Sequence, residues 1–513
     1  MNLWNMAIGL TCLLVLAQGA SVAQGQSNAP RISWKKIVID ASFRSEGVAV
    51  ADVNKDGKVD ILVGDLWYEA PEWKPHVIRK DRKFDPNNYS ESFAVFTDDI
   101  DGDGYTDEIV VGFPGAPCHW YKNPGKSEGP WQEFLIQDSA CNETPLYVDL
   151  LGTGKRVLLL GHKGEVCYFR PESDPTKPWE RVSISGKKGP GSGQYEHGFG
   201  VGDINGDGKI DVMVSGNWYE QPAKLDGMPW KIHKLSAGGC ADMYAVDIDG
   251  DKRNDVVCSS AHGTGFGWHQ QRPGNDEPIF VQNAFFPVPA SLVKEPAEHK
   301  FTKEEAEIYG ALNKARGDKK KVGWRANAEL SAKARKLAEA GSALKGKTDG
   351  YAGTIVDALV GPVDKDAAAA AFKDLVAQAH LKSPALEVGV GVAGDKYCVL
   401  LGERGLFALP GQTHALNHVD IDGDGLKDFV TGRRFWAHGP GGDDHPADPA
   451  LLYWFQVRKD SAVVVTLTPH QIDDDSGVGT QFACQDVDGD GHADVIISNK
   501  RGVALFLQVR SKR

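Results

Sequence analysis

The chain has little of what a protein binding nucleic acid or an anionic membrane needs. Its 57 Lys and Arg are outnumbered by 70 Asp and Glu, for a formal net charge of −13. A polyanionic partner calls for a basic face instead. It has no C-x-x-C pair. With residues 1–23 set aside, an odd set of cysteines remains: Cys118, Cys141, Cys167, Cys240, Cys258, Cys398 and Cys484. That excludes a disulfide framework and a zinc ribbon. Cys240 and Cys258 flank one hairpin and either pair or stay as buried thiols. No nucleophile elbow or zinc-protease motif is found and no phosphate loop is expected, which removes common hydrolase and nucleotide-binding classes. Long apolar runs are also missing: the N-terminal stretch over 6–17 is short for a membrane span. It ends in Ala20-Ser21-Val22-Ala23, and it is expected to be a signal peptide over 1–23 although no basic residue precedes it. The expected product is secreted, extracellular or periplasmic, with no span in the mature chain and no nucleic-acid partner.

What the chain does have is glycine, 59 residues of it, and a repeat. Glycine at this level favours short strands and tight turns. The repeat is D-x-D/N-x-D-G-x-x-D. Its first copy places acidic or amide groups at Asp52, Asn54, Asp56 and Asp60. The second uses Asp99, Asp101, Asp103 and Asp107, and the third Asp203, Asn205, Asp207 and Asp211. The fourth uses Asp247, Asp249, Asp251 and Asp255, and the fifth Asp420, Asp422, Asp424 and Asp428. The sixth uses Asp486, Asp488, Asp490 and Asp494, and a decayed copy begins at Asp149. Each copy lies between two apolar runs, as in Gly47-Val-Ala-Val-Ala51 and Ile61-Leu-Val63. An aromatic segment follows, such as Trp67-Tyr68 or Trp218-Tyr219, and then a fourth run, as in Trp230-Lys-Ile-His-Lys-Leu235. Four short strands per repeat point to a β-propeller.

Carboxylates at positions 1, 3, 5 and 9 of so short a loop converge on one point, which suits the oxygen-only shell of calcium. Without a cation they would repel strongly. About six calcium ions are expected, and their charge would bring −13 close to neutrality. Glycine at position 6 permits a left-handed turn. Lys252 replaces it in the fourth copy, at a cost of about 1 kcal/mol. An EF-hand would carry glutamate at position 12, where this chain has Val63, Val110, Val214, Cys258, Thr431 and Ile497. The loops therefore belong to a β-structure.

On these loops the chain resembles the FG-GAP/VCBS repeat family of extracellular propellers, related in blade design to integrin α-subunit heads. The resemblance covers 31–287 and 405–513. It implies a mainly β fold, a seven-bladed propeller of four-stranded blades, with calcium in the inter-strand loops. Family members serve adhesion, carbohydrate binding or lyase and dehydratase chemistry. The expected propeller occupies 31–295 and 405–513, with the strand at 33–40 completing the last blade and removing an open sheet edge.

Residues 298–403 differ. A proline-rich linker, Phe286 to Pro296, leads into an Ala/Lys/Glu-rich segment. Helices are expected over 303–315, 328–340 and 365–379, the first opened by a capping box, Thr302 to Glu305. Strands are expected over 386–392 and 397–401. Leu312-Asn313, Trp324, Asn327, Leu330, His380 and Val388-Gly-Val-Gly-Val-Ala393 resemble a small CAP-superfamily domain, the cysteine-rich secretory protein type. That family gathers two histidines and two acidic residues, and only His380 aligns. A degenerate, partner-binding α/β insert is expected.

Inner strands of a propeller that run toward the acidic loops must start at the opposite face. Residues six before each loop gather there: Glu46, Phe93, Glu143, His197, Ala241, His414 and Thr480. Ends of the return strands join them: Asp65, Asn217, His262, Arg433, Arg434 and Lys500. His197, His414, Glu46, Glu143 and Arg434 are the candidates for acid/base work or for an additional axial metal. Arg434 and Lys500 suit an anionic sugar. Two functions remain open. One is a binding or adhesion module for a glycan or extracellular protein. The other is a carbohydrate-active enzyme of lyase or dehydratase type.

Overall fold

The computed structural model describes residues 31–127, 129–225, 229–262, 266–274, 277–283, 301–317, 325–326, 328–341, 346–347, 354–362, 387–403, 412–439, 449–459 and 465–511. The expected signal peptide, the proline-rich linker, the helix over 365–379 and His380 lie outside them. No described helix is long and apolar enough to cross a membrane.

The structure is mainly β and forms a propeller-like ring of small sheets. Five are four-stranded, and one eight-stranded sheet consists of two four-stranded halves joined through a parallel pair, Phe199 and Asp242. The second unit shows the pattern: Ala94–Asp98, Asp107–Val111, Cys118–Lys122 and Gln132–Gln137, each antiparallel to the next. An acidic loop joins its first two strands. Arg31–Asp40 is the outer strand of the sheet formed by Gly502–Ser511, Asp494–Asn499 and Ala483–Gln485. The two ends of the ring are thus tied by one ladder.

The core is distributed between neighbouring sheets. Ile109 and Trp120 pack on Leu158 and Phe169, and Leu159 and Tyr168 on Phe199 and Tyr219. Met213 and Trp218 meet Met243 and Val256, and Val257 and Trp268 meet Phe429 and Phe455. Val430 and Trp454 meet Ile497 and Leu505, which also meet Ile61 and Tyr68. Leu62 and Trp67 then pack on Val95 and Tyr121, which closes the circle. Burying such side chains contributes about 1.5–3 kcal/mol each. Aromatic–His stacks tie third to fourth strands, with Trp67 4.2 Å from His76 and Trp218 4.0 Å from His233.

The segment at 301–403 stands apart in composition and in structure. Helices Lys303–Gly317 and Ala328–Ala340 accompany a five-stranded sheet in the order Arg325–Ala326, Glu387–Ala393, Lys396–Glu403, Thr354–Pro362, Gly346–Lys347. The capping box forms: the Thr302 amide donates to Glu305 at 2.9 Å and the Glu305 amide to Thr302 Oγ1 at 3.3 Å. Buried Glu305 also takes two 2.6 Å bonds from Arg335. Gly389 and Gly391 allow the second helix to lie on the sheet, since a Cβ there would come within 2.2 and 2.0 Å of its backbone. Thr354–Pro362 was not expected as a strand. Nor was the phosphate-loop spelling Gly341-Ser-Ala-Leu-Lys-Gly346-Lys347-Thr348, whose absence was expected. Its setting is wrong for phosphate. It follows a helix, and Gly346–Lys347 is a strand paired with Thr354 and Ile355, whereas a phosphate loop leads from strand to helix. All described cysteines are free thiols, Cys240 and Cys258 included.

Candidate metal and ligand sites

The acidic loops share one geometry. The position-1 carboxylate accepts from the amides that wrap around it: Asp203 from Gly206, Asp207 and Gly208 at 2.7, 3.1 and 2.9 Å, and Asp486 from Gly489, Asp490 and Gly491. The position-5 carboxylate accepts from the position-7 amide, as in Asp56 from Lys58 and Asp424 from Leu426, both 2.9 Å. Lys252 takes a left-handed φ of 70° at position 6. In four loops three carboxylates bring oxygens within 4.8 Å of one another: Asp99, Asp101 and Asp107; Asp247, Asp249 and Asp251; Asp420, Asp422 and Asp428; Asp486, Asp488 and Asp494. The loops at Asp52 and Asp203 carry Asn54 and Asn205 at the third position, supplying an amide oxygen. Asp149 keeps the wrap, accepting from Thr153 and Gly154, without the other acids.

The position-9 aspartate has a second role the sequence pattern did not reveal. It is buried in all six copies. One oxygen accepts the position-2 amide, as Asp211 does from Ile204 at 2.9 Å, and the other a third-strand amide, as Asp211 does from Gln221 at 2.9 Å. Asp60, Asp107, Asp255, Asp428 and Asp494 repeat both bonds. Burial pushes these carboxyls up, Asp211 to about 6 and Asp428 to about 7. A nearby cation would favour their ionised form. In four units the next side chain clamps the preceding unit. Gln221 Nε2 donates to Leu150 O and Ile210 O at 2.8 and 2.9 Å. Asn123, Gln271 and Gln508 do the same to Val53, Ile204 and Ile421.

At the opposite ends of the inner strands lies a buried polar cluster. His197 Nε2 is 3.4 Å from Glu143 Oε2, and ligand atoms of Glu143, His197 and His414 lie within 4.8 Å of one another. The His197 ring is 5.0 Å from both His262 and His414, and His262 is 5.2 Å from His438. Arg434 joins this cluster to a second carboxyl, with Nη1 2.9 Å from Glu143 and Nη2 3.5 Å from Glu46. Ser90 Oγ donates to Glu46 at 2.7 Å. Arg434 lies 5.4 Å over Phe93. Thr480 donates its amide to Glu46 O at 2.9 Å. Lys500 donates to Trp436 O at 2.7 Å and lies over Tyr89. Asp65 and Asn217 do not follow the pattern expected of them. Asp65 is bound by Arg79 and Arg82, and Asn217 sits in its ladder opposite Val214 and Lys234. Ala241 is buried on its strand, and Arg433 is fixed by backbone bonds to Leu451 and Val478.

The environment drives the two carboxyls apart. Burial raises Glu46 despite the pull of Arg434 and Ser90. Burial would also raise Glu143, but His197 and Arg434 hold it at about 2. Burial, with Arg434 beside it, holds His414 well below the usual imidazole range. Beside the cluster opens a cleft of about 650 Å³, lined by Ser139, Lys163, Lys188, Ser192, Gln194 and Glu196 among others. Tyr195 stands next to it, 57% exposed. The cleft comes from connections between strands, which carry no repeat, so no periodic signal marked it.

Residues 93–128 match the FG-GAP repeat family. The match spans three strands of the second unit and its acidic loop, and the same arrangement recurs around the ring. No curated protein matches the chain. Among solved structures, it is similar to an Agrocybe aegerita lectin that recognises non-reducing terminal N-acetylglucosamine. That likeness has 16% identity, covers 50% of this chain and 67% of the lectin, and has a TM-score of 0.31. It is also similar to the V. cholerae biofilm matrix protein, with 11% identity over 93% of this chain and 90% of that one and a TM-score of 0.37.

Proposed function

We propose that the chain is an exported, calcium-loaded, seven-bladed propeller that binds glycan through the face opposite its acidic loops. The observation that carries the reading is the cleft beside the axis. Its volume of about 650 Å³ falls in the range of small-ligand sites. Its hydroxyl, amide, ammonium and carboxylate groups suit sugar hydroxyls, and exposed Tyr195 offers a flat face for a pyranose ring. The two halves of the eight-stranded sheet count as separate blades in this reading. The oxygen-only loops fit calcium, with the ions stapling blade ends. The 298–403 segment is read as a degenerate CAP-like insert that offers a second contact surface, and an extracellular protein is the other ligand class.

Binding of the full chain to an immobilised panel of neutral and uronate-bearing oligosaccharides in calcium tests the reading. Tyr195→Ala and Lys188→Ala should each weaken binding at least severalfold. A panel that stays blank, or binding unchanged in both variants, overturns it. A second reading, a lyase or dehydratase, is favoured by Glu46 and Glu143. Their environments push these carboxyls in opposite directions across one arginine, Glu46 up and Glu143 down, as in an acid/base pair.

A further inference from the structure

We propose that Glu143, His197 and His414 form a site for a transition metal of the zinc class, chemically separate from the acidic loops and independent of glycan binding. The three residues come from three different units and bring their ligand atoms within 4.8 Å of one another. Around a tetrahedral ion with bonds near 2 Å, ligand atoms stand roughly 3.4 Å apart. A small side-chain adjustment therefore closes the shell.

The ring of His414 points to a ligand. It is fully buried, and neither ring nitrogen has a hydrogen-bond partner among the described residues. His197 Nε2 is also buried, facing Glu143 Oε2 at 3.4 Å. Leaving a buried polar atom unpaired costs about 1–3 kcal/mol. His233 differs: its ring is buried too, but carboxylates stand beside both nitrogens, Glu220 at 2.7 Å and Glu277 at 2.9 Å. His414 has no such carboxylates. Its neighbours are the imidazoles of His197 and His262, with Arg434 close by. An imidazole so placed has a lone pair to give to a metal.

The donor set selects the metal. Two imidazoles and one carboxylate suit zinc, copper or nickel, whereas calcium takes oxygen alone. Arg434 does not block the site. It donates to Glu143 Oε2 at 2.9 Å, the oxygen that also faces His197 Nε2 at 3.4 Å, and to Glu46 at 3.5 Å. It orients the carboxylate, as outer-shell partners do, and each carboxylate oxygen keeps a further lone pair for a metal. Three protein ligands leave a fourth position open. The exposed ring of His262, 5.0 Å from His197 and 5.6 Å from His414, stands where that position faces the mouth.

The test uses the full chain, stripped with chelator and returned to excess calcium so that the acidic loops are filled. Equilibrium dialysis against micromolar zinc, read by elemental analysis, should show one zinc per chain. Cobalt in place of zinc should give the visible absorption bands of a four- or five-coordinate ion. His414→Ala and, as a milder change, Glu143→Gln should weaken zinc binding by roughly 100-fold and leave calcium content unchanged. A wild-type chain that takes up no zinc and gives no cobalt bands overturns the proposal, whatever the variants do. So does zinc binding that survives both substitutions, which would place it on surface Glu–His pairs such as Glu69 and His76.

Discussion

The two ends of the ring's inner strands are built by different rules. At one end each acidic loop is complete within nine residues, and six near-identical copies surround the ring. At the other end, one unit gives Glu46, another Glu143, another His197, another His414, and no two contributions are alike. Arg434 reaches carboxyls 291 and 388 residues away in sequence. Repetition holds the scaffold, and the departures from repetition gather where a ligand would sit. Each end can be disturbed separately, and the contrast predicts what each disturbance does.

Calcium removal should have the largest effect. A site held at 100 times its dissociation constant adds about 2.7 kcal/mol to stability, so stripping several sites should lower the melting temperature steeply. Calorimetry with and without chelator measures it. Zinc removal at constant calcium should move the melting temperature far less. Equal shifts would break the contrast between a structural end and a functional one.

Next in size is Arg434→Met. It leaves Glu46 and Glu143 buried without their shared cation, and removing one partner of a buried pair costs about 3–5 kcal/mol. Chemical denaturation should show that loss, with calcium content unchanged. A smaller loss is expected from Gln221→Leu, which strands the carbonyls of Leu150 and Ile210 at about 1–3 kcal/mol per buried group. Because that clamp joins two units, hydrogen exchange should rise in both the 141–183 and 199–234 segments. Exchange confined to one of them would show that the amide acts within its own unit alone.

This division also explains what was legible. The loops, the aromatic third strands and the two described helices follow from local pattern and spacing, so the sequence showed them directly. Counting six residues back from each loop reached Glu46, Glu143, His197 and His414, because every loop follows the same end of its inner strand. Counting along the return strands also reached His262, Arg434 and Lys500, but not Asp65 or Asn217. Asp65 turns to Arg79 and Arg82, since two arginines supplied by the following connection outweigh strand position. His438, Ser90 and the cleft residues Lys163, Lys188 and Gln194 lie on connections with no period to count. The dual use of each position-9 aspartate was hidden for another reason: its second partner is a backbone amide, which any residue supplies.

Per pH unit, the smallest predicted effect concerns two carboxyls that belong to neither end. Glu108 lies fully buried between the first and second units, accepting the Gly64 amide at 3.0 Å. Burial raises it to about 8, although Arg79 and that amide pull it down. Burial likewise raises Asp242, which accepts the Leu416 amide, to about 7. Both folded values exceed those of an unfolded chain, so the folded state binds these protons more tightly. Their stabilising effect is full below the ordinary carboxylate range and is lost as pH climbs toward 7 and 8. Each group changes stability by at most about 1.4 kcal/mol per pH unit. Glu143, held at about 2, acts oppositely but only in strong acid, outside this window. With the loops saturated by calcium, denaturation midpoints should therefore fall between pH 5 and 8, and Glu108→Gln should flatten the fall while keeping the bond to Gly64. A slope unchanged in Glu108→Gln and in Asp242→Asn, but altered by calcium, would move the pH sensitivity back to the acidic loops and merge the two ends into one linked system.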